Sequence, residues 1–352
     1  MAAFDRPVSE SASGFECLVD LFERAVASYI DVEHGLAVES GTAALATALR
    51  AVGADDGSAV FVPGVAPFST VAAVLRVDAV PVFVDVHPTA YTISPLDLHR
   101  AVEEAADPAA VVPVHLGGQP AELHALRECA VNHDTAIIED ARDALGATYQ
   151  GACVGAIGDA GVFGFESGRP LSVGATGGMV TTDDYDIAAR ATLLRQRDAT
   201  NGRGHPSRRR RLAERAAARG IEALSSLADQ HEHRRALAAV YTERLRKLGR
   251  VVTPPHRRDA SHAFASYIVD VDDAAALQSA LDDADVATSR VRPATESPAG
   301  KAAVGEAREL PITNRLADRL IALPLSAAMD EADVEAVCRV IEAHYDRAAV
   351  RN

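Results

Sequence analysis

Between residue 15 and about residue 195 the apolar positions switch repeatedly between two periods. Over 15–29, Leu18, Leu21, Phe22, Ala25 and Val26 recur at three- and four-residue spacing, which predicts an amphipathic helix. A short strand over 35–38 then runs into Ser40-Gly41-Thr42 and a second helix over 43–52. Strand-like apolar runs follow at 59–62, 80–84, 110–114, 136–139, 160–165 and 178–182, with helical segments at 69–77, 95–104 and 123–132. Short apolar strands separated by crossover-length helices predict an α/β fold whose mainly parallel sheet is covered on both faces.

Near residue 200 the pattern changes. Residues 198–207, rich in Gly, Asn and Pro, read as a loop, and 208–250 as a long helical stretch broken near Gly220. Leu224, Leu227, His231, Arg234 and Leu237 track one face of it. A strand over 263–271 and helices over 274–283 and 331–345 then describe a smaller α+β unit, with 284–308 as an irregular segment or lid. The organisation expected is a large domain over 1–200, a connecting helical segment over 201–250 and a small C-terminal domain over 251–352.

Composition narrows the class. With 352 residues, 48% of them hydrophobic and 24% charged, the chain has the makings of an ordinary globule with a large core. A formal charge of −15 argues against a general nucleic-acid binder, Arg208–Arg211 being a local exception that reads as a charged helix start or a contact for a diphosphate or partner subunit. The N-terminus lacks a signal-peptide core, no run of apolar residues is long enough to span a bilayer, and four scattered cysteines suggest neither a disulfide framework nor a zinc site. The expectation is a cytoplasmic protein with no membrane partner. His231 and His233, two apart on a helix, point to different faces and form no metal pair.

One count bears directly on chemistry. Of 35 Lys and Arg residues only Lys247 and Lys301 are lysines, so none lies in the first half of the chain. Imine chemistry needs an amine that loses its proton near neutral pH, and a guanidinium does not. Codon bias accounts for the general scarcity; the consequence at any position that needs an amine is separate.

Four motifs then occur in order: Gly41-Thr42 between a strand and a helix, where backbone N–H groups suit a phosphate; Val114-His115-Leu116-Gly117-Gly118-Gln119-Pro120; Ile137-Ile138-Glu139-Asp140-Ala141; and Gly177-Gly178-Met179-Val180-Thr181-Thr182. With Gly158-Asp159-Ala160, and with Leu310-Pro311-Ile312-Thr313-Asn314-Arg315 and Leu323-Pro324-Leu325-Ser326 near the end, this sequence resembles the sugar aminotransferases of the DegT/DnrJ/StrS type over roughly residues 15–345. The resemblance implies a fold-type I architecture, with a mostly parallel seven-stranded sheet in the large domain, a small α+β domain, and a homodimer with active sites at the interface. It also implies transfer of an amino group to keto sugar nucleotides through pyridoxal phosphate.

Carried over residue by residue, the resemblance leaves that cofactor poorly provided for. The family's lysine corresponds to Arg169, its phosphate-binding serine to Gly164, the asparagine after the lysine to Pro170, its glutamine to Asp143, and its ring-stacking aromatic to Pro67, with Phe68 one residue off. Only Asp140, facing the pyridine nitrogen, and Gly41-Thr42 match. Transamination is therefore expected to be absent, the cofactor absent or bound without a covalent link, and Asp140, Asp143, Glu166 and Arg169 are the candidate catalytic residues. Phe68, Arg142, Arg211, Arg290 and Arg292 are the candidate substrate contacts, for a small anionic or sugar-derived molecule; the charged groups equally read as mutually neutralising ion pairs. Three functional readings stand at this point: a cofactor-independent acid/base catalyst (elimination, isomerisation or cyclisation) in natural-product or deoxysugar biosynthesis, a non-catalytic subunit paired with a lysine-bearing paralogue, and a pyridoxal-phosphate-dependent aminotransferase or dehydratase variant. His115 reads as a packing residue.

Overall fold

The computed structural model describes residues 17–197, 211–303 and 309–350. Seven strands form the main sheet: β1 (His34–Val38), β2 (Ala59–Pro63), β3 (Val80–Val84), β4 (Pro108–Val111), β5 (Ala136–Asp140) and, after a small hairpin of β6 (Thr148–Tyr149) and β7 (Ala152–Cys153), β8 (Ala160–Gly164) and β9 (Gly178–Thr182). Their order is β1-β9-β8-β5-β4-β2-β3, and only β9 runs against the rest. Helices α1 (Leu18–Ile30), α2 (Gly41–Ala51), α3 (Phe68–Leu75), α4 (Pro95–Glu104), α5 (Leu123–Val131), α6 (Tyr185–Arg197) and α7 (Glu214–Ser225) cover it. Residues of α2, α3 and α6 fill the core on one face, and those of α1, α4, α5 and α7 the core on the other. Adjacent β5 residues show the alternation: Ile138 enters the first core and Ile137 the second.

Local chemistry sets where the helices begin. Ser40 caps α2 by accepting from the Ala43 N–H at 3.2 Å, and Ser94 caps α4 by accepting from the Asp97 N–H at 3.3 Å, with Pro95 in the first turn where its missing N–H costs nothing.

Beyond α8 (Leu227–Leu245) the chain adds β10 (Val251–Val252), β11 (Ala260–Ser261), β12 (Tyr267–Val271), α9 (Ala274–Asp282), β13 (Ser289–Arg290), α10 (Pro298–Ala303), α11 (Pro311–Leu316), β14 (Leu320–Leu323) and α12 (Glu331–Val350). An antiparallel sheet ordered β10-β12-β14-β13 shares its core with α8, α9 and α12, while β11 pairs with β6. Asp85, just past β3, binds the two parts together: its carboxylate accepts from the Ile312 N–H at 2.8 Å, and from both the N–H and the hydroxyl of Thr313 at 2.7 Å.

Some expectations change. The long helical stretch breaks at Ser226, not near Gly220; Gly220 lies inside α7, where a Cβ would come within 2.5 Å of the Phe22 ring that packs on it, so the glycine serves packing rather than a break. The strand expected over 110–114 is regular only to Val111: Val112 still donates to the Phe61 carbonyl and Val114 forms a parallel bridge with Asp140, with Pro113, which has no N–H, between them. Within 284–308 the structure places β13, paired with β14, and α10. The loop expected over 198–207, and Arg208, Arg209 and Arg210, lie outside the described residues.

Candidate functional site

The parallel strands β5 and β8 end side by side, with Asp140 and Gly164 as their last residues, and α2 begins beside them at Gly41. Carboxyl ends of parallel strands next to a helix N-terminus are where open α/β sheets place ligands. Glu139 and Asp140, adjacent on β5, serve opposite faces. Glu139, fully buried, accepts from the N–H groups of Gly155, Ile157 and Gly158 at 2.7–2.8 Å and from His115 Nε2 at 3.0 Å. His115 Nδ1 in turn accepts from the Ala121 N–H at 3.0 Å, which leaves the ring proton on Nε2 and gives it a packing role.

Asp140, 2% exposed, is taken up by Arg142. The guanidinium donates from Nε to Oδ1 at 2.6 Å and from a terminal nitrogen to Oδ2 at 2.5 Å, and also reaches the hydroxyls of Ser69 and Thr70 at 2.7 Å. Thr70 donates to Asp140 Oδ2 at 2.9 Å. Burial pushes the Asp140 carboxyl up, but Arg142 and the Thr70 hydroxyl outweigh it and hold the group below the usual carboxylate range. The aliphatic part of Arg142 lies against Gly41 and Gly164; a Cβ on Gly41 would sit 2.7 Å from Arg142 Cδ. Arg142, expected to contact substrate, is instead buried and makes four hydrogen bonds to Asp140, Ser69 and Thr70, and Asp140 accepts three from Arg142 and Thr70.

The start of α2 is also engaged. Glu166 Oε1 accepts from the Gly41 N–H at 3.2 Å, so a carboxylate stands where a helix N-terminus would receive a phosphate. The Glu166 side chain is paired through Oε2 with Arg169 Nε at 3.6 Å, and Arg169 also pairs closely with Asp143. Asp143, Arg169 and Glu166 are thus brought together, and the alternative reading of mutually neutralising ion pairs describes their geometry.

Glu166, Arg169 and Asp143 are all part-exposed, and of the three Asp143 borders a cleft. Asp143 lines a cleft of about 880 Å³ together with Pro67, Phe68, Leu116, Gly117, Ile268, Arg290, Arg292, Glu296 and Lys301. Phe68 is 52% exposed and offers a free apolar face. Arg290, its side chain 8% exposed, donates to the Ala317 carbonyl and to Asp318, yet its Nε is buried without a partner among the described residues. Lys301, which does not follow a strand, was unexpected here, and only the fold brings it to the cleft. Arg211 is not part of this site: it is exposed and pairs with Asp20 on α1. Ser69 and Thr70 were also missed, because a hydroxyl at the start of an apolar helix reads as a cap. Among the described residues there is no His/Cys/Asp/Glu group that could hold a metal ion.

A family model for the DegT/DnrJ/EryC1/StrS aminotransferases matches residues 16–342. The chain belongs to that family. The spore coat polysaccharide biosynthesis protein SpsC of Bacillus subtilis is 30% identical over 350 residues, covering 92% of this chain and 88% of that protein. The dTDP-3-amino-3,4,6-trideoxy-alpha-D-glucose transaminase of Streptomyces venezuelae is 33% identical over 326 residues, covering 92% and 85%. Among solved structures, S. venezuelae DesV in complex with a ketimine intermediate superposes with a TM-score of 0.85 at 30% identity, covering 94% of this chain and 89% of that one. The fold is that of the fold-type I aminotransferases, and several relatives are named sugar aminotransferases. No helix among the described residues is long and apolar enough to cross a membrane.

Proposed function

We propose that this member of the DegT/DnrJ/EryC1/StrS family modifies a small sugar-derived or cyclic natural-product intermediate without pyridoxal phosphate, and so does not transaminate. One observation carries the reading: Arg142 forms a buried two-point ion pair with Asp140, the residue that resemblance assigns to the pyridine nitrogen. Glu166 likewise stands at the Gly41 N–H, where the phosphate would be received, and the position assigned to the lysine carries Arg169. The residues present do not fit the cofactor. Seating it requires a buried guanidinium to be expelled from a carboxylate, a loss of several kcal/mol by the general cost of breaking a buried pair, and a second, part-exposed carboxylate to give up its hydrogen bond to the helix start.

The cleft keeps groups that can act on a substrate. Asp143 is the carboxylate that lines it, and its ion pair with Arg169 orients it as a base or as an electrostatic partner for developing positive charge. Arg292 and Lys301 in the same lining supply positive charge for an anionic substrate group, and Phe68 an apolar surface for a ring. Arg169 is a positioning residue in this reading, since it acts through Asp143.

The test is a titration of the purified protein with pyridoxal phosphate, read by absorbance before and after borohydride, followed by peptide mapping. No reducible aldimine band is expected. A stoichiometric band that reduction fixes on Lys301 or Lys247 would overturn the proposal, as would amino transfer to a keto sugar nucleotide.

A further inference from the structure

A second cavity, of about 760 Å³, opens between α8 and the chain preceding β12, outside the cleft described above. Its volume lies within the usual range for small-molecule sites. Four aromatic rings run toward it as a stack: Tyr241 on Tyr267 at 4.8 Å, Tyr267 near Phe264 at 6.2 Å, and Phe264 under His262 at 3.9 Å with planes 1° apart. His262 ends the stack and lines the cavity. Its Nδ1 accepts from the Phe264 N–H at 2.8 Å, so the ring proton lies on Nε2. Burial and the neighbouring Arg235 push its pKa down to about 3, and the ring is neutral in physiological conditions.

Two observations point to a missing ligand. Gln119, 5% exposed, lines the same cavity, and its side-chain oxygen is buried without a hydrogen-bond partner among the described residues. Such an oxygen is destabilising until something donates to it. At the rim, Arg235 donates through Nε to the His262 carbonyl at 3.3 Å and Arg246 through Nε to the Thr253 hydroxyl at 3.2 Å, and neither pairs with a carboxylate among the described residues. The cavity therefore offers a ring face, an acceptor, a neutral N–H donor and two guanidinium groups with no ion-pair partner among the described residues, the one lining carboxylate, Glu243, being paired with Lys247.

We propose that this groove is a second ligand site, taking a flat heteroaromatic ring that carries an anionic group. The ring extends the stack past His262, its polar edge meets Gln119 Oε1 and His262 Nε2, and the anion lies against Arg235 and Arg246. A nucleoside monophosphate and an aromatic carboxylic acid share this chemistry. The groove also shares a wall with the cleft: the Ala263 N–H donates to the Gly118 carbonyl at 3.0 Å and the Ser266 N–H to the Gly117 carbonyl at 3.3 Å, while Gly117 and Ser266 line the cleft.

Calorimetric titration of the whole protein with adenosine monophosphate, anthranilate and ribose 5-phosphate tests the site. Saturable binding of one of the two ring-bearing anions is expected, with the stronger of them identifying the source, and none of the ringless phosphate. Arg246→Glu should weaken that binding by about tenfold or more, and the milder Arg235→Ala should weaken it in a protein whose circular dichroism matches the parent. The proposal fails if neither ring-bearing anion binds, if ribose 5-phosphate binds as well, or if the arginine variants leave affinity unchanged. It fails equally if affinity falls in Arg292→Ala but not in Arg246→Ala, which would place the ligand in the cleft.

Discussion

Replacing Arg142 by Met keeps much of the side chain's bulk and removes its charge, leaving Asp140 at 2% exposure with Thr70 as its remaining side-chain donor. Two charge-assisted hydrogen bonds to Asp140 disappear, along with those to Ser69 and Thr70. Breaking one side of a buried pair typically costs about 3–5 kcal/mol, because the surviving charge is left uncompensated. The sign of the pH dependence follows. In the parent, the folded-state pKa of Asp140 is depressed, so this group's stabilisation is present above the unfolded carboxyl value and is lost as pH falls. In Arg142→Met, burial acts without Arg142 and raises the folded pKa, so the protonated form is favoured and the deficit grows as pH rises. Urea denaturation at about pH 4 and about pH 7 should therefore show a destabilisation that is larger at the higher pH, with the m-value unchanged. The double variant Asp140→Asn with Arg142→Met should be less destabilised than Arg142→Met alone, since it leaves no buried charge. A loss below about 1 kcal/mol, a loss independent of pH, or a double variant as damaged as the sum of the singles would refute the claim that this pair is a buried, mutually compensating unit.

Other outcomes are equally specific. Burial, and then Arg234 and Arg235, push the pKa of His231 down to about 4; the unfolded chain binds this proton first, so stability should fall as pH drops from about 6.5 to about 4, by at most about 3 kcal/mol. That slope should be smaller in His231→Gln when thermal melts are compared across the window. Asp85→Ala strips three acceptor contacts from the start of α11 and should cost about 2–4 kcal/mol, with amide exchange accelerated first around Ile312 and Thr313. Gly220→Ala gains about 1 kcal/mol in helix propensity but forces a methyl against Phe22, for a net loss of about 1–2 kcal/mol by chemical denaturation.

Much of the fold was legible in the pattern of apolar residues because a buried strand and an amphipathic helix each impose a period that local sequence must satisfy. Strands β3 and β9 and helix α4 fall where the pattern puts them, and the motifs around Asp140 and Gly178 carried the family resemblance. Boundaries failed where tertiary contact overrode local preference. Gly220 reads as a breaker in isolation, yet Phe22 on another helix requires it to be a glycine within a continuous α7.

The candidate site divides along the same line. From its residues alone the chain lacks an amine in its first half and concentrates carboxylates and guanidiniums around Asp140, and that much the sequence determines, because residue type fixes which protons can move. Which charge neutralises which depends on separations of a few ångströms between residues distant in the chain, and only the packed structure sets these. It commits Arg142 inward to Asp140, Ser69 and Thr70, leaves Asp143 at the cleft, removes Arg211 to the surface and brings Lys301 into the same cleft as Phe68. A periodic pattern says which face of an element is buried; the partner waiting on that face comes from another part of the chain.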